Sequence, residues 1–216
     1  MRIGFIGGTG SEGIGLAGRF AIKNIEVGIG SRDIKNSIDA VNKIAKNISS
    51  SKNLFPGLNM EVVRDSDIVF VCVPYDAQKS VFKELKPYLI GKIVVTVVVP
   101  VMFENGKISV VRTKSSCAAI ELQEILVESK VVSAFQTISA LDLKLINNPV
   151  NSDVIVCSDN KYALNTVMDL AENIDGVRAI NGGKLSNSVF VENITPLLLN
   201  INMIYKKHTA IRITGI

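Results

Sequence analysis

Apolar residues recur along the chain in two alternating rhythms. In Arg2 to Ile6, Glu26 to Gly30, Asp67 to Val73 and Lys92 to Val99 nearly every position is apolar or glycine. Between these runs the apolar residues return every three or four positions: in Gly15 to Ile22, in Asp33 to Asn47 through Ile34, Ile38, Val41 and Ile44, in Ala77 to Leu89 and in Ser115 to Leu126. The first rhythm predicts strands buried on both faces and the second amphipathic helices. A weaker strand is predicted around Met60 to Val63 and a further one at Lys130 to Phe135. Strand and helix in strict alternation predict an α/β fold, a doubly wound and mainly parallel sheet covered by helices on both sides.

The rhythm loosens from Gln136 to Asn151, where Asn147, Asn148 and Pro149 act as breakers, and the stretch Asn47 to Asn53 reads as a mobile loop. Beyond the breakers, Asp153 to Ser158, Lys161 to Ile174 and Val177 to Asn181 predict strand, helix and strand, and a long apolar helix runs from about Lys184 to Tyr205. Pro196 lies inside that helix and removes one of its hydrogen bonds, which predicts a kink near Glu192. The soft boundary divides the chain into a large domain, residues 1–150, and a small C-terminal α/β annex, residues 151–216, that closes a cleft and ends in the long helix.

The candidate chemistry begins where the first strand ends. Gly8, Gly10 and Gly13, with Thr9, Ser11 and Glu12 between them, have the spacing of the dinucleotide fingerprint and stand in its required context, after a strand and at the start of a helix. This predicts a Rossmann-type fold. Gly8 is assigned to the tight turn, Gly10 to close approach of the pyrophosphate and Gly13 to packing of helix on strand. The pyrophosphate lies on the helix N-terminus, where unpaired amides favour an anion. Ser31 and Arg32 follow the second strand, where an NAD enzyme usually carries an acid, and that favours NADP(H). Asp33 is the counterargument. It reads either as a ribose ligand or as a cap on the next helix. Lys35 adds positive charge beside the expected phosphate, or is simply solvated.

With 216 residues, 47% of them hydrophobic, the chain is long enough for one compact core. The net charge of +4 is spread along the sequence, so no dense basic stripe predicts nucleic acid as a partner. It suits acidic small molecules, though many proteins carry as much by chance. Cys72, Cys117 and Cys157 have no paired spacing, and His208 is the single histidine. Neither a disulfide framework nor an imidazole metal site nor a serine–histidine triad is predicted, and a reducing cytoplasmic setting fits. No export signal is recognised at the N-terminus, and the most apolar runs, Ile93 to Val101 and Ile194 to Ile204, are too short to cross a bilayer, so no membrane partner is expected.

The run Gly7-Gly-Thr-Gly with Gly13 and Gly15, then Gly30-Ser31-Arg32, Val73-Pro74-Tyr75 and Val99-Pro100-Val101, resembles one family. The likeness continues through Lys130 to Ala134, Thr137-Ile138, Leu185 to Ser188, Glu192 and Thr195-Pro196-Leu197. The chain looks like the coenzyme F420-dependent NADP oxidoreductases of archaea and some bacteria. The resemblance implies reversible hydride transfer between NADP(H) and the deazaflavin ring of coenzyme F420. It implies that Thr9 and the following turn hold NADP with Ser31 and Arg32. Pro74, Val99 and Pro100 would line the nicotinamide pocket, and Ile138, Asn193 and Thr195 would stand where the two rings meet. For Ile138 the alternative is core packing, and for Thr195 a hydroxyl bonded back to its own helix.

The sequence departs from the family pattern at Gln136, where a histidine is expected, at Ser139, where a proline is expected, and at Asn36, where the expected lysine is displaced to Lys35. No catalytic acid or base is predicted, because the cofactors carry the redox chemistry. Lys206, Lys207 and Arg212 either attract the acidic tail of F420 or compensate the dipole of the last helix. That helix has more apolar residues than one packed face needs, which predicts a homodimer. Two rival readings remain: an NADPH-dependent imine or carbonyl reductase akin to the pyrroline carboxylate reductases, which are usually longer, and a non-enzymatic NADP sensor with no second pocket.

Overall fold

A computed structural model describes residues 1–104 and 107–216. The strands β1 (Arg2–Ile6), β2 (Glu26–Ser31), β3 (Leu54–Leu58), β4 (Ile68–Val71) and β5 (Ile93–Thr96) alternate with the helices α1 (Ser11–Ala21), α2 (Ile34–Ala45), α3 (Asn59–Arg64) and α4 (Gln78–Leu89). A hairpin, β6 (Val101–Glu104) and β7 (Lys107–Val110), leads to α5 (Ala118–Ile125), β8 (Lys130–Ser133) and α6 (Ala140–Lys144). The chain closes with β9 (Ser152–Cys157), α7 (Lys161–Glu172), β10 (Val177–Gly183) and α8 (Ser188–Tyr205).

Eight strands form one sheet in the order β10-β9-β8-β5-β4-β1-β2-β3. From β3 to β8 every pairing is parallel. The chain winds outward from β1 to β3, then crosses back to β4 and winds the other way, so the topological switch lies between β1 and β4. Parallel strands and a switch of this kind open a crevice at the carboxyl ends of the central strands. The strands β9 and β10 pair parallel to each other, but β9 meets β8 antiparallel through a single register pair, Ser133 with Cys157.

All residues of β4 and β5 are buried, as their unbroken apolar runs require. One face of the sheet carries a stack of Phe5, Phe20, Phe70 and Phe135, with Phe5 and Phe70 ring centroids 4.9 Å apart. On the other face Val69, Val71, Val94 and Val131 pack against Phe82, Leu85, Leu89 and Leu122. Such burial, worth about 25 cal/mol per Å² of apolar surface, holds the two halves of the winding in register.

Several elements differ from the sequence expectation. The weak third strand lies at Leu54–Leu58, and Met60 to Val63 belong to α3 instead. Pro56 and Gly57 disguise the strand, and they are tolerated because β3 is the edge of the sheet. The fifth strand stops at Thr96, whose Oγ1 accepts the Val98 amide at 3.2 Å; Val97 still donates to the Val71 carbonyl at 3.4 Å, and Val98 and Val99 lie beyond the strand. The predicted helix from Ser115 begins only at Ala118, and the irregular tract after Gln136 contains the short α6. The hairpin β6–β7 was not predicted. At the last helix, Leu185–Asn187 form a tighter single turn before α8, which runs without a break through Pro196.

Candidate functional site

The turn after β1 is built by division of labour among its glycines. Gly7 takes a left-handed conformation at φ 65° and its amide donates to Asn59 Oδ1 at 3.2 Å. Gly8, expected to supply the tight turn, lies within it, and a Cβ there would sit 2.6 Å from Phe5 Cβ. At Gly13 a Cβ would lie 2.7 Å from the Gly8 backbone, so its absence allows α1 to press on the turn. A Cβ at Gly10 meets nothing within 4 Å. Packing does not demand glycine at position 10, and the open space above it is where a ligand backbone can approach. No side chain caps α1, so the first amides of the helix face that space unpaired.

A cavity of about 500 Å³ lies in front of this turn, at the carboxyl ends of β1, β4, β5 and β8. Gly10 to Gly13, Cys72 to Tyr75, Val97 to Val99 and Phe135 to Leu141 form its floor and sides, and Thr195, Leu198, Leu199 and Asn202 of α8 close it from above. Phe135 holds a left-handed backbone at φ 73°, which costs a residue with a bulky side chain of order 1–3 kcal/mol. The strained bend turns the chain out of β8 and lays Gln136, Thr137 and Ile138 along the cavity.

The polar groups of the cavity are positioned by the surrounding elements. Thr195 Oγ1 donates to the Gln136 carbonyl at 2.8 Å, tying α8 to the strand end rather than to its own helix. Gln136 Nε2 donates to the Thr96 carbonyl at 2.9 Å and to Ser133 Oγ at 2.8 Å, while its Oε1 is buried with no partner. Ser139 caps α6, its Oγ accepting the Asp142 amide at 3.2 Å. Glu12 lines the cavity with Oε1 buried and unpartnered, and burial pushes its carboxyl up to about 8. Two buried acceptor atoms without partners, on residues lining one cavity beside an uncapped helix, suit a polar ligand that brings its own donors and acceptors.

A second cavity, about 340 Å³, adjoins the first and is lined by Pro100, Arg112 to Cys117, Glu192 and Asn193. Glu192 is buried, and its two carboxylate oxygens accept the Ala118 and Ala119 amides at 2.9 and 3.0 Å. Burial pushes this carboxyl up to about 7, while the amides of the α5 N-terminus pull it down. Tyr75 donates to Glu121 at 2.7 Å, and burial with that bond pushes its phenol up to about 12.

A profile of the family described as NADP oxidoreductase coenzyme F420-dependent matches residues 2–100. The F420-dependent NADP reductase of Methanocaldococcus jannaschii is 40% identical to this sequence over all of this chain and 99% of its own. The chain belongs to the family of F420-dependent NADP reductases. A crystal structure of a putative member from Arthrobacter sp. FB24 shares the fold, with a TM-score of 0.85 and 20% identity over the whole of both chains. The imine reductase of Bacillus cereus shares it more distantly, with a TM-score of 0.66 at 11% identity, and this chain spans 62% of its length.

The residues singled out in the sequence fall into four places. Gly10, Ser11, Glu12, Gly13, Pro74, Val99, Ile138 and Thr195 line the larger cavity. Pro100 and Asn193 line the smaller one, with Asn193 Nδ2 donating to the Val189 carbonyl at 2.7 Å. Gly8 and Thr9 belong to the glycine turn, and Ser31, Arg32 and Lys35 stand apart at the end of β2 and the start of α2. Ser31 is buried; the Arg32 and Lys35 side chains are exposed and make no hydrogen bond or ion pair among the described residues. Asp33 resolves as a cap, since its Oδ1 accepts the Lys35 amide at 2.9 Å. The sequence reading missed the support given by Asn59, Glu192 as the anchor of α5, and the buried role of Gln136. A single charged residue inside an otherwise uncharged helix was the available signal for Glu192.

Proposed function

We propose that this chain transfers a hydride reversibly between NADP(H) and the deazaflavin coenzyme F420. The observation that carries the reading is the larger cavity, where a glycine turn and an uncapped helix meet an apolar chamber at the topological switch of the sheet. In balance, NADPH, oxidised F420 and a proton give NADP+ and reduced F420, and the cofactors supply that redox chemistry when bound. The residues of the chain bind, orient and exclude water. The backbone of Gly8 to Gly13 holds the pyrophosphate, with the Thr9 and Ser11 hydroxyls at its edge. Ser31, Arg32 and Lys35 take the additional phosphate. Pro74, Val99 and Pro100 flank the nicotinamide, and Ile138, Asn193 and Thr195 set the distance between the rings. Holding two reactants in contact in this way supplies about 7–11 kcal/mol of a barrier.

The reading extends to organisation. Residues 1–150 act as the NADP-binding domain and residues 151–216 as the annex that closes the cleft, with α8 as its lid-side wall. Phe190, Leu197, Met203, Ile204 and Tyr205 of α8 are exposed and apolar, which supports a homodimer; sedimentation showing only monomer at micromolar protein removes it. A cytoplasmic setting is supported by three free cysteines, and no helix among the described residues is long and apolar enough to cross a membrane.

The test is to mix the protein with NADPH and oxidised F420 and follow loss of the deazaflavin absorbance, with NADH as control. Rapid bleaching with NADPH alone is the expected result. Tight NADPH binding without bleaching overturns the assignment of F420 and leaves an imine reductase or a sensor.

A further inference from the structure

Among the residues lining the larger cavity, Glu12 is the one carboxylate. It occupies the first turn of α1, directly after the glycine turn, and the protein gives it no partner: Oε1 is shut off from water without a hydrogen bond. The titratable groups lining the same cavity are Cys72, Tyr75 and His208. Burial, followed by the charge of Glu12, raises the Cys72 thiol, and both residues line the cavity. Tyr75 is turned to Glu121, and His208 Nδ1 is held 3.2 Å from Asp142 on α6. Arg19, farther along α1, is committed to carbonyls beyond Asp142. None of these offers Glu12 a compensating cation.

A carboxyl with one oxygen buried and unpartnered destabilises the fold, so its place in the cavity wall calls for a ligand that changes its surroundings. The two ends of a dinucleotide do this with opposite sign. Phosphates repel a carboxylate equally in both redox states of the cofactor. The nicotinamide ring is cationic when oxidised and neutral when reduced, so a carboxylate beside it distinguishes the two states. Glu12 lines the chamber together with Pro74, Val99, Ile138 and Thr195, whereas Arg32, where the other end of the cofactor is assigned, is not among the lining residues.

We propose that Glu12 is a redox-selective positioning residue, whose carboxylate faces the nicotinamide end of the cavity and favours bound NADP+ over bound NADPH. The inference rests on the reading that NADP binds in this cavity. An opposite charge at close range lowers a carboxyl by about 1–3 units, so NADP+ binding expels the proton of Glu12 and NADPH binding does not. Because that carboxyl starts near 8, the effect falls in an accessible pH range. The cofactor's own phosphates titrate alike in both forms and cancel in a ratio.

The experiment is equilibrium binding of NADP+ and of NADPH to the whole chain between pH 6 and pH 9, with Glu12→Gln in parallel. The expected result is that Kd(NADPH)/Kd(NADP+) rises about tenfold across that range in the unaltered protein and stays flat in the variant. Calorimetry in buffers of different ionisation enthalpy should show NADP+ releasing about half a proton more than NADPH near pH 7.5. A flat ratio in the unaltered protein overturns the proposal, as does a slope that survives in Glu12→Gln. Parallel pH dependence for both cofactors, lost in the variant, also overturns it and places the carboxyl at the pyrophosphate. If neither cofactor binds at any pH, the NADP reading itself fails and takes this inference with it.

Discussion

Replacing Arg32 with alanine should sharply lower the preference for NADPH without harming the fold. Arg32 follows directly on β2, is exposed and has no partner among the described residues, so truncation leaves no buried group unsatisfied. Of its charged neighbours, only Lys35 is exposed and uncommitted among the described residues, and it compensates in part. Ser31 is buried and its Oγ accepts the Asp33 amide at 3.3 Å, and Asp33 is committed to the first turn of α2. A hydrogen bond to a charged group contributes about 1.5–3 kcal/mol, and solvent screening at an exposed site favours the lower end. The expected loss is therefore about tenfold to twentyfold in NADPH affinity, with NADH affinity changed by about twofold or less. Fluorescence titration of both cofactors at two salt concentrations measures this, and raised salt should weaken NADPH binding more in the unaltered protein than in the variant. Asp33→Ala serves as the control: it should lower stability by about 1 kcal/mol through loss of the cap. Equal losses for NADPH and NADH in Arg32→Ala would refute the assignment of the phosphate. Selective loss of NADH affinity in Asp33→Ala would make that residue a ribose ligand instead.

Other substitutions separate binding from folding. Gly10→Ala should leave the melting temperature unchanged, since its Cβ meets nothing, yet weaken NADPH at least tenfold, as read by titration. Gly13→Ala should lower stability by about 1–3 kcal/mol in denaturant unfolding, because its Cβ lands 2.7 Å from the Gly8 backbone, which must then shift. Arg19 is buried and donates to the carbonyls of Asp142, Leu143, Leu145 and Asn148, so Arg19→Met should cost about 2–4 kcal/mol by stranding those acceptors. Asp153 is fully buried between Arg178 and Arg212 and also accepts the Ile213 amide, and Arg178 above all holds its carboxyl well below the usual range. With a depressed folded value, its stabilisation is present above the ordinary aspartate range and is lost as pH falls through the folded value. Asp153→Asn should therefore lower stability at pH 7 by about 3 kcal/mol and flatten its decline in acid, as followed by thermal melts from pH 2 to pH 7.

What could be read from residues alone was whatever rests on local rhythm. The strands β1, β4 and β5 are apolar or glycine at every position but Arg2 and Thr96, and the glycine spacing after β1 stands in its own sequence context. Ser31 and Arg32 were legible for the same reason, being fixed by position at the end of β2. The misplaced third strand shows the limit. Pro56 and Gly57 signal a break locally, and only the sheet edge makes them acceptable. Within the turn the left-handed residue is Gly7, and position 8 needs glycine because Phe5 packs against it, a distinction that two adjacent glycines do not reveal in sequence. Glu192 and Gln136 were noticed for their place in a pattern but not for their role. Each is defined by a partner far along the chain, Ala118 and Ala119 for one and Thr96 for the other.

The strand β10 leads through a short turn into α8, and the segment after α8 returns to the same pair of strands. There Arg212 and the Ile213 amide grip Asp153, and the Ile211 carbonyl accepts the Asp153 amide at 2.8 Å. The helix roofing the cavity is thus a strap buckled at both ends to β9 and β10, whose own seam with β8 is a single antiparallel rung. On the other side of that seam the same helix is fastened again, by Glu192 on the first amides of α5 and by Thr195 on the Gln136 carbonyl, so the roof is stitched to both halves of the sheet and closes the cavity from each.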